Sequence, residues 1–266
     1  MSQDYKINTN FSFSRLAKII NAETNFNHNG LASTICLDSR NIKVGDVFVA
    51  ILGEESDGHQ FVEHAIKNGA IASIISDKEK FNENKYPFLL VEDTYEALRD
   101  ISDHLTQQNN ALRIAITGSV GKTTTKNYLH SILKKYGKTV SSPQSFNNYL
   151  GVILSRSKVQ KDTDYAIFEV GMNKQNEISK LSHLIKPNIA IITNIGEAHI
   201  GNLGSKENIA IEKTKIIDGM DKESLVIIPR DSEFYDLLIN SVKQKELSYI
   251  TFGKSIKADI NISKIK

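Results

Sequence analysis

A chain of 266 residues can bury a sizeable core, and its length favours two domains over one. With 33 basic and 31 acidic residues, a formal net charge of +2, no basic block and little aromatic interleaving, it does not read as a nucleic-acid binder. A single cysteine, Cys36, excludes an internal disulfide, and no apolar run approaches the ~20 residues that a membrane span needs.

The chain opens on the polar stretch Met1-Ser2-Gln3-Asp4-Tyr5-Lys6, which is not a signal peptide, and a soluble cytoplasmic protein is expected. Residues 1–108 form a first unit. A helix is predicted over 13–20, strands over 34–37 and 46–51, and a helix over 59–68 with Phe61, Val62, Ala65 and Ile66 on one face and Gly69 as its stop. Strands follow over 70–75 and 88–91. Ala97, Leu98, Ile101 and Leu105 then recur at helical spacing over 94–105. This is a small α/β domain, in which Cys36, between Ile35 and Leu37, reads as a buried apolar residue. The polar, aperiodic stretch Gln107-Gln108-Asn109-Asn110 reads as a linker.

From residue 109 to 266 strands and helices alternate. Strands are predicted over 112–117, 164–169, 188–193, 224–228 and 248–252, and helices over 123–136, 147–157, 176–185, 206–218 and 231–243. That alternation implies an α/β domain with a mostly parallel sheet covered on both faces. Ligands of such sheets sit beyond the carboxyl ends of the strands.

The most informative stretch begins there. An apolar run over 112–116 leads into Thr117-Gly118-Ser119-Val120-Gly121-Lys122-Thr123-Thr124, which opens a helix. Strand, glycine turn and helix in this order make a phosphate-binding loop. Glycines let backbone N–H groups crowd round phosphate oxygens, and the helix N-terminus adds partial positive charge. Gly118, Ser119, Val120, Gly121, Lys122, Thr123 and Thr124 are the candidate nucleotide-binding residues. Lys122 would reach the β- and γ-phosphates, and Thr123 would ligate Mg²⁺. The strict pattern has a glycine where Ile116 stands; here the first glycine is Gly118, giving the shorter form GxxGKT. Tyr128, Leu129, Ile132, Leu133 and Tyr136 give the following helix its apolar face, with Gly137 as its stop.

Three more residues lie at strand ends or just beyond them. Glu169 closes an apolar strand, where a carboxylate can hold Mg²⁺ beside a phosphate loop; the other reading is an acid at a helix start. His199 follows the strand over 188–192, and a lone histidine is ordinarily a surface or satisfied polar residue. Lys213 lies among charges on a helix, and its spacing alone makes it part of a solvated face.

Together the motifs resemble the Mur ligases, ATP-dependent amide-bond-forming enzymes of peptidoglycan precursor synthesis. The resemblance rests on Asp38-Ser39-Arg40, Gly45 to Ala50, Asp57-Gly58-His59, the phosphate loop, Phe146-Asn147-Asn148, Phe168 to Asn173, Ile192 to Gly196, Ala198-His199 and Gly204-Ser205 leading to Glu212-Lys213. It covers essentially the whole chain. The first, third and Gly171-Met172-Asn173 pieces favour the branch that adds D-alanyl-D-alanine to UDP-N-acetylmuramoyl-tripeptide over those adding a single amino acid.

The resemblance implies ATP and two Mg²⁺ ions. Thr123 and Glu169 would hold one ion. His199 would hold the other, together with Lys213, which CO₂ would convert to a carbamate. Lys122, His199 and Lys213 are then the catalytic residues. Ser39 and Arg40 would face the uridine nucleotide, and Asn147, Asn148 and Asn173 the acceptor and its phosphates. The domains become a UDP-sugar-peptide-binding domain over 1–108 and an ATP-binding domain over 109–266 in a monomer. The family carries a third, C-terminal domain that receives the amine, and the chain ends before it, so the resemblance implies a truncated ligase inactive by itself. A non-catalytic module that binds the muramoyl peptide and nucleotide, or a sister ligase, stays open at this point.

Overall fold

A computed structural model describes residues 4–26, 30–53, 56–80, 86–107, 109–198 and 200–261. The chain divides into two compact units, Met1–Gln108 and Asn109–Lys266.

The first unit runs β1 (Lys6–Ser12), α1 (Phe13–Ile19), β2 (Glu23–Thr24), β3 (Leu31–Cys36), β4 (Asp46–Val49), α2 (Val62–Lys67), β5 (Ala72–Ile75), β6 (Phe88–Leu90) and α3 (Thr94–Thr106). Its sheet has the order β1-β3-β4-β5-β6-β2, parallel from β3 to β6 with an antiparallel strand at each edge. The sequence reading missed β1, whose apolar residues are few, although Ile7, Thr9 and Phe11 alternate inward along it. It also missed β2. Side-chain caps start the helices: Ser12 Oγ accepts from Arg15 N at the head of α1, and Asp93 Oδ1 from Tyr95 N and Glu96 N at the head of α3. A 3₁₀ turn over Gly58–Phe61 precedes α2 where the sequence predicts one continuous helix. Cys36 is fully buried, as its neighbours suggested.

The second unit runs β7 (Leu112–Thr117), α4 (Lys122–Leu133), β8 (Thr139–Ser141), α5 (Tyr149–Arg156), β9 (Tyr165–Glu169), α6 (Glu177–Ile185), β10 (Ile189–Ile192), α7 (Ile200–Leu203), α8 (Lys206–Thr214), β11 (Leu225–Pro229), α9 (Tyr235–Gln244), β12 (Ser248–Gly253) and β13 (Ile260–Asn261). Its sheet has the order β13-β12-β11-β10-β7-β9-β8, and every pairing is parallel. From β7 the chain runs to the edge strand β8, returns to β9 between β8 and β7, then crosses to start β10 on the other side of β7. The carboxyl end of β7 is therefore the topological switch point, where such sheets hold ligands.

Burial explains β7 and its neighbours. Ile114, Ile116 and Ile167 form a core that Leu129, Leu133, Ile189 and Ile191 complete. The predicted apolar face of α4 needs correction: Tyr128, Ile132 and Tyr136 are 69%, 53% and 75% exposed, while Lys126 turns inward. The helix also stops at Leu133, and Gly137 has no left-handed φ; its amide donates to the Leu133 carbonyl. The predicted helix over 206–218 is α8 followed by a 3₁₀ turn over Lys215–Ile217. No helix among the described residues is long and apolar enough to cross a membrane.

Just past that 3₁₀ turn Gly219 lies against the backbone of Ser182 on α6, and its amide donates to Ser182 Oγ at 2.9 Å. A Cβ here would fall on the Ser182 carbonyl oxygen. Gly219→Ala should destabilise the second unit by about 2 kcal/mol, read as a lower urea midpoint, whereas an unchanged midpoint would show that the contact relaxes freely.

Candidate active site

The phosphate loop is shaped by two glycines. Gly118 follows β7 at φ +151°, and a Cβ there would collide with Thr193 Oγ1. Gly121, at φ +85°, is the N-cap of α4 and provides no side-chain cap. The first-turn amides of a helix have no intrahelical acceptor, so those of α4 remain available to an anion. Lys122, half-buried, donates its Nζ to the Gly118 carbonyl at 2.9 Å. Burial lowers its pKa from the ordinary lysine value, and the Glu169 carboxylate partly opposes this.

The segment after β10 braces the loop. Thr193 Oγ1 donates to the Val120 carbonyl at 2.6 Å, and Asn194 Oδ1 accepts from Val120 N at 2.9 Å. The Asn194 carbonyl accepts from Ser119 N at 3.1 Å. Ser119 Oγ accepts from Gly196 N at 2.9 Å and donates to the Gly196 carbonyl at 3.1 Å. The sequence reading quoted Thr193 to Gly196 as a motif without giving it a role; pairing of β10 beside β7 brings it onto the loop.

Glu169, at the end of β9 next to β7, is 1% exposed. Its Oε2 accepts from Thr123 Oγ1 at 2.8 Å, and its Oε1 from Asn147 Nδ2 at 3.1 Å. Its backbone N–H donates to Ser142 Oγ at 3.2 Å. A carboxylate and a hydroxyl side by side at the head of α4 suit Mg²⁺, a hard cation that takes few protein oxygens and fills its shell with phosphate and water. Among the described residues no group of three or more His, Cys, Asp or Glu could hold a metal by itself. His199 lies outside the described residues.

Lys213 is not on the solvated face that its spacing alone predicts. It is 2% exposed, on the inner face of α8 with Ile209 and Ala210. Burial, and next the Lys122 ammonium, push its pKa down to about 7, against a smaller opposing pull from Glu212. Glu212 is itself buried; its Oε1 accepts from Ile178 N at 3.2 Å and its Oε2 pairs with Lys215 Nζ at 2.6 Å, tying α8 to α6.

Three further candidates sit differently. Asn147 reaches Glu169. Asn148 caps α5, its Oδ1 accepting from Gly151 N at 2.8 Å. Asn173 is exposed, and its backbone N–H donates to Glu177 Oε2.

In the first unit Asp38, Ser39, Arg40, Phe61 and His64 help line a cleft of about 810 Å³. Ser39 is buried and its Oγ lies 3.0 Å from His64 Nδ1. Arg40, 83% exposed at its side chain, bonds Asp38 through Nε and Nη2, both at 2.9 Å. His59 of the Asp57-Gly58-His59 motif is structural: Ser76 N and Asp77 N both donate to its Nε2, which makes Nδ1 the protonated nitrogen, 2.6 Å from Asp57 Oδ1.

The family model of the Mur ligase middle domain matches residues 116–266, and that of the Mur ligase family catalytic domain residues 32–106. A UDP-N-acetylmuramoyl-tripeptide–D-alanyl-D-alanine ligase from Rickettsia prowazekii is 39% identical over 226 residues, covering 85% of this chain and 50% of its own length. The ligase of that name from Escherichia coli is 32% identical, with 83% and 48% covered. Among solved structures, MurF from Acinetobacter baumannii superposes with a TM-score of 0.88 at 30% identity, over 96% of this chain and 56% of its own. MurF from Thermotoga maritima in complex with ADP gives 0.73 at 28%, over 83% and 50%. The chain spans about half the length of the curated relatives it matches.

The buried Lys213 has a pH signature. Its pKa is about 7 when folded against an ordinary 10.5, so between these values the unfolded chain binds the extra proton. Stability should rise with pH across that window, by about 1 kcal/mol per unit at most, and be lowest below pH 7. Lys213→Met should flatten the slope in urea titrations from pH 7 to 9.5. Parallel curves for the two proteins would rule the linkage out.

Proposed function

The chain belongs to the Mur ligase family, and from that premise we propose that it acts in the ATP-dependent ligation of D-alanyl-D-alanine to UDP-N-acetylmuramoyl-tripeptide in the cytoplasm. The observation that carries this reading is the buried Glu169 carboxylate bonded to Thr123 at the uncapped head of α4. A nucleoside triphosphate fits there, with its phosphates on the amides of residues 121–124 and on the Lys122 ammonium. The likeness to an ADP-bound ligase structure supports the choice of nucleotide.

In this reading the tripeptide carboxylate attacks the γ-phosphorus, giving an acyl phosphate and ADP. The amine of D-alanyl-D-alanine then attacks the acyl carbon, and phosphate leaves. Lys122 offsets negative charge on the transferring phosphoryl group. Mg²⁺ at Thr123 and Glu169 would supply charge that lets two anions approach. Lys213, its pKa pushed down to about 7, would be neutral often enough to add to CO₂ and release a proton, and the resulting carbamate would hold a second cation together with His199. In the first unit the cleft is proposed for the uridine nucleotide. Arg40 there would exchange the Asp38 carboxylate for a diphosphate, which its planar fork matches equally well.

Lys122→Ala should abolish calorimetric binding of Mg²⁺–ATP, and Ser39→Ala should weaken UDP-N-acetylmuramoyl-tripeptide about tenfold, one hydrogen bond's worth. Where ligation is measured, Lys122→Ala should lower phosphate release at least a hundredfold. Lys213→Ala should also lose activity, in part restored by added short carboxylates. Nucleotide binding indifferent to Lys122 would refute the phosphate-loop role.

A further inference from the structure

One turn beyond Lys122, Lys126 turns into the protein and is 2% exposed. A buried ammonium is costly unless it is paired and hydrogen-bonded. Its Nζ lies 3.6 Å from Glu169 Oε2, the oxygen that also accepts from Thr123, and it donates to the Gln144 carbonyl. Gln144 has φ +45°, a left-handed backbone that a non-glycine residue adopts only where its surroundings hold it. Three residues on, Asn147 donates to the other oxygen of Glu169, and its carbonyl accepts from Gly171 N at 2.9 Å. The turn over 143–148 is thus tied to one carboxylate twice, through a lysine and through an asparagine. Nothing in the sequence pattern marks Lys126, because its spacing puts it among the polar residues of α4.

We infer that Lys126 is the built-in counter-cation of this site: it pairs Glu169 and fixes the 143–148 turn, and it opposes a divalent cation that arrives without phosphate. The inference rests on Glu169 being the divalent-cation ligand proposed above. A cation bound at Oε2 would stand close to a like charge with little water between them, and at that separation Coulomb repulsion outweighs most single contacts. Nucleotide phosphates bring negative charge that cancels it. Lys126 therefore couples metal loading to nucleotide loading. It is a positioning residue, acting through Glu169 and Asn147.

The sign of one measurement tests this. Mn²⁺ alone is titrated into the whole chain and its variants, with free ion read by electron paramagnetic resonance, and Glu169→Gln defines the binding that depends on Glu169. Lys126→Met should tighten that binding at least tenfold, and Lys126→Arg, which keeps the charge, should return it towards the unaltered value. A role in packing alone would weaken Mn²⁺ or leave it unchanged, and either result in Lys126→Met overturns the inference while the Glu169 reading stands. If no protein shows Mn²⁺ binding that Glu169→Gln removes, the inference falls, and if none appears with ATP present either, the metal reading falls with it. Should Lys126→Met fail to fold, Lys126→Gln, which keeps a donor for the Gln144 carbonyl without the charge, should tighten the same Mn²⁺ binding, and unchanged or weaker binding refutes the inference.

Discussion

A carboxylate at the end of a buried parallel strand must be satisfied by what lies beyond the strand. Glu169 is satisfied by three residues at once: Thr123 from the start of α4, Lys126 from its second turn, and Asn147 from the turn before α5. Removing any one of them leaves a buried anion short of a partner, which costs more than the contact itself is worth. The apolar packing of Leu129 and Leu133 seats α4 on the sheet, and the same carboxylate then meets the turn that holds Gln144 in its left-handed backbone and brings Asn147 against Gly171. The proposed chemistry uses the same carboxylate, so the group that organises the site is also the one that would meet the metal.

The second constraint is the close fit between the loop after β7 and the loop after β10. Parallel pairing aligns Thr117 with Ile192, so the two loops leave the sheet side by side. Thr193 then occupies the space where Gly118 lacks a side chain, and Asn194 and Gly196 take up the amides and hydroxyl at Ser119 and Val120. The short GxxGKT spacing is explained by this fit: with Ser119 and Val120 held from outside, the loop needs fewer residues to set its shape.

Periodicity made much of this legible. β7, β9, β10, β11 and β12 are near-continuous apolar runs, the signature of a sheet covered on both faces, and each was predicted to within a residue or two, whereas the short edge strands β8 and β13 were missed. What periodicity could not read were elements whose burial depends on distant partners. β1 is polar in composition and becomes a strand only through β3. β8 has three half-buried residues and is completed by β9. The site divides in the same way. Lys122, Thr123 and Glu169 stand where local pattern puts them, at the turn and the strand end. Lys213 and Lys126 look solvated by spacing and are buried, because α8 and α4 present those positions to neighbours that no local window contains. Asn148, quoted for its motif, also caps α5, a local role that the motif alone did not announce.

The all-parallel sheet has a further consequence, in time rather than in space. β7 leaves the ribosome before every other strand of its sheet, yet Leu112 pairs with Tyr165 and Ile114 with Ile189. Each ladder must close a long crossover before its first hydrogen bond repays the lost chain entropy. The central strand is therefore made first, and until β10 arrives its apolar residues lack one neighbour. The second unit should be the slower of the two to fold, and the phosphate loop cannot take its braced shape until the chain has been synthesised through Gly196.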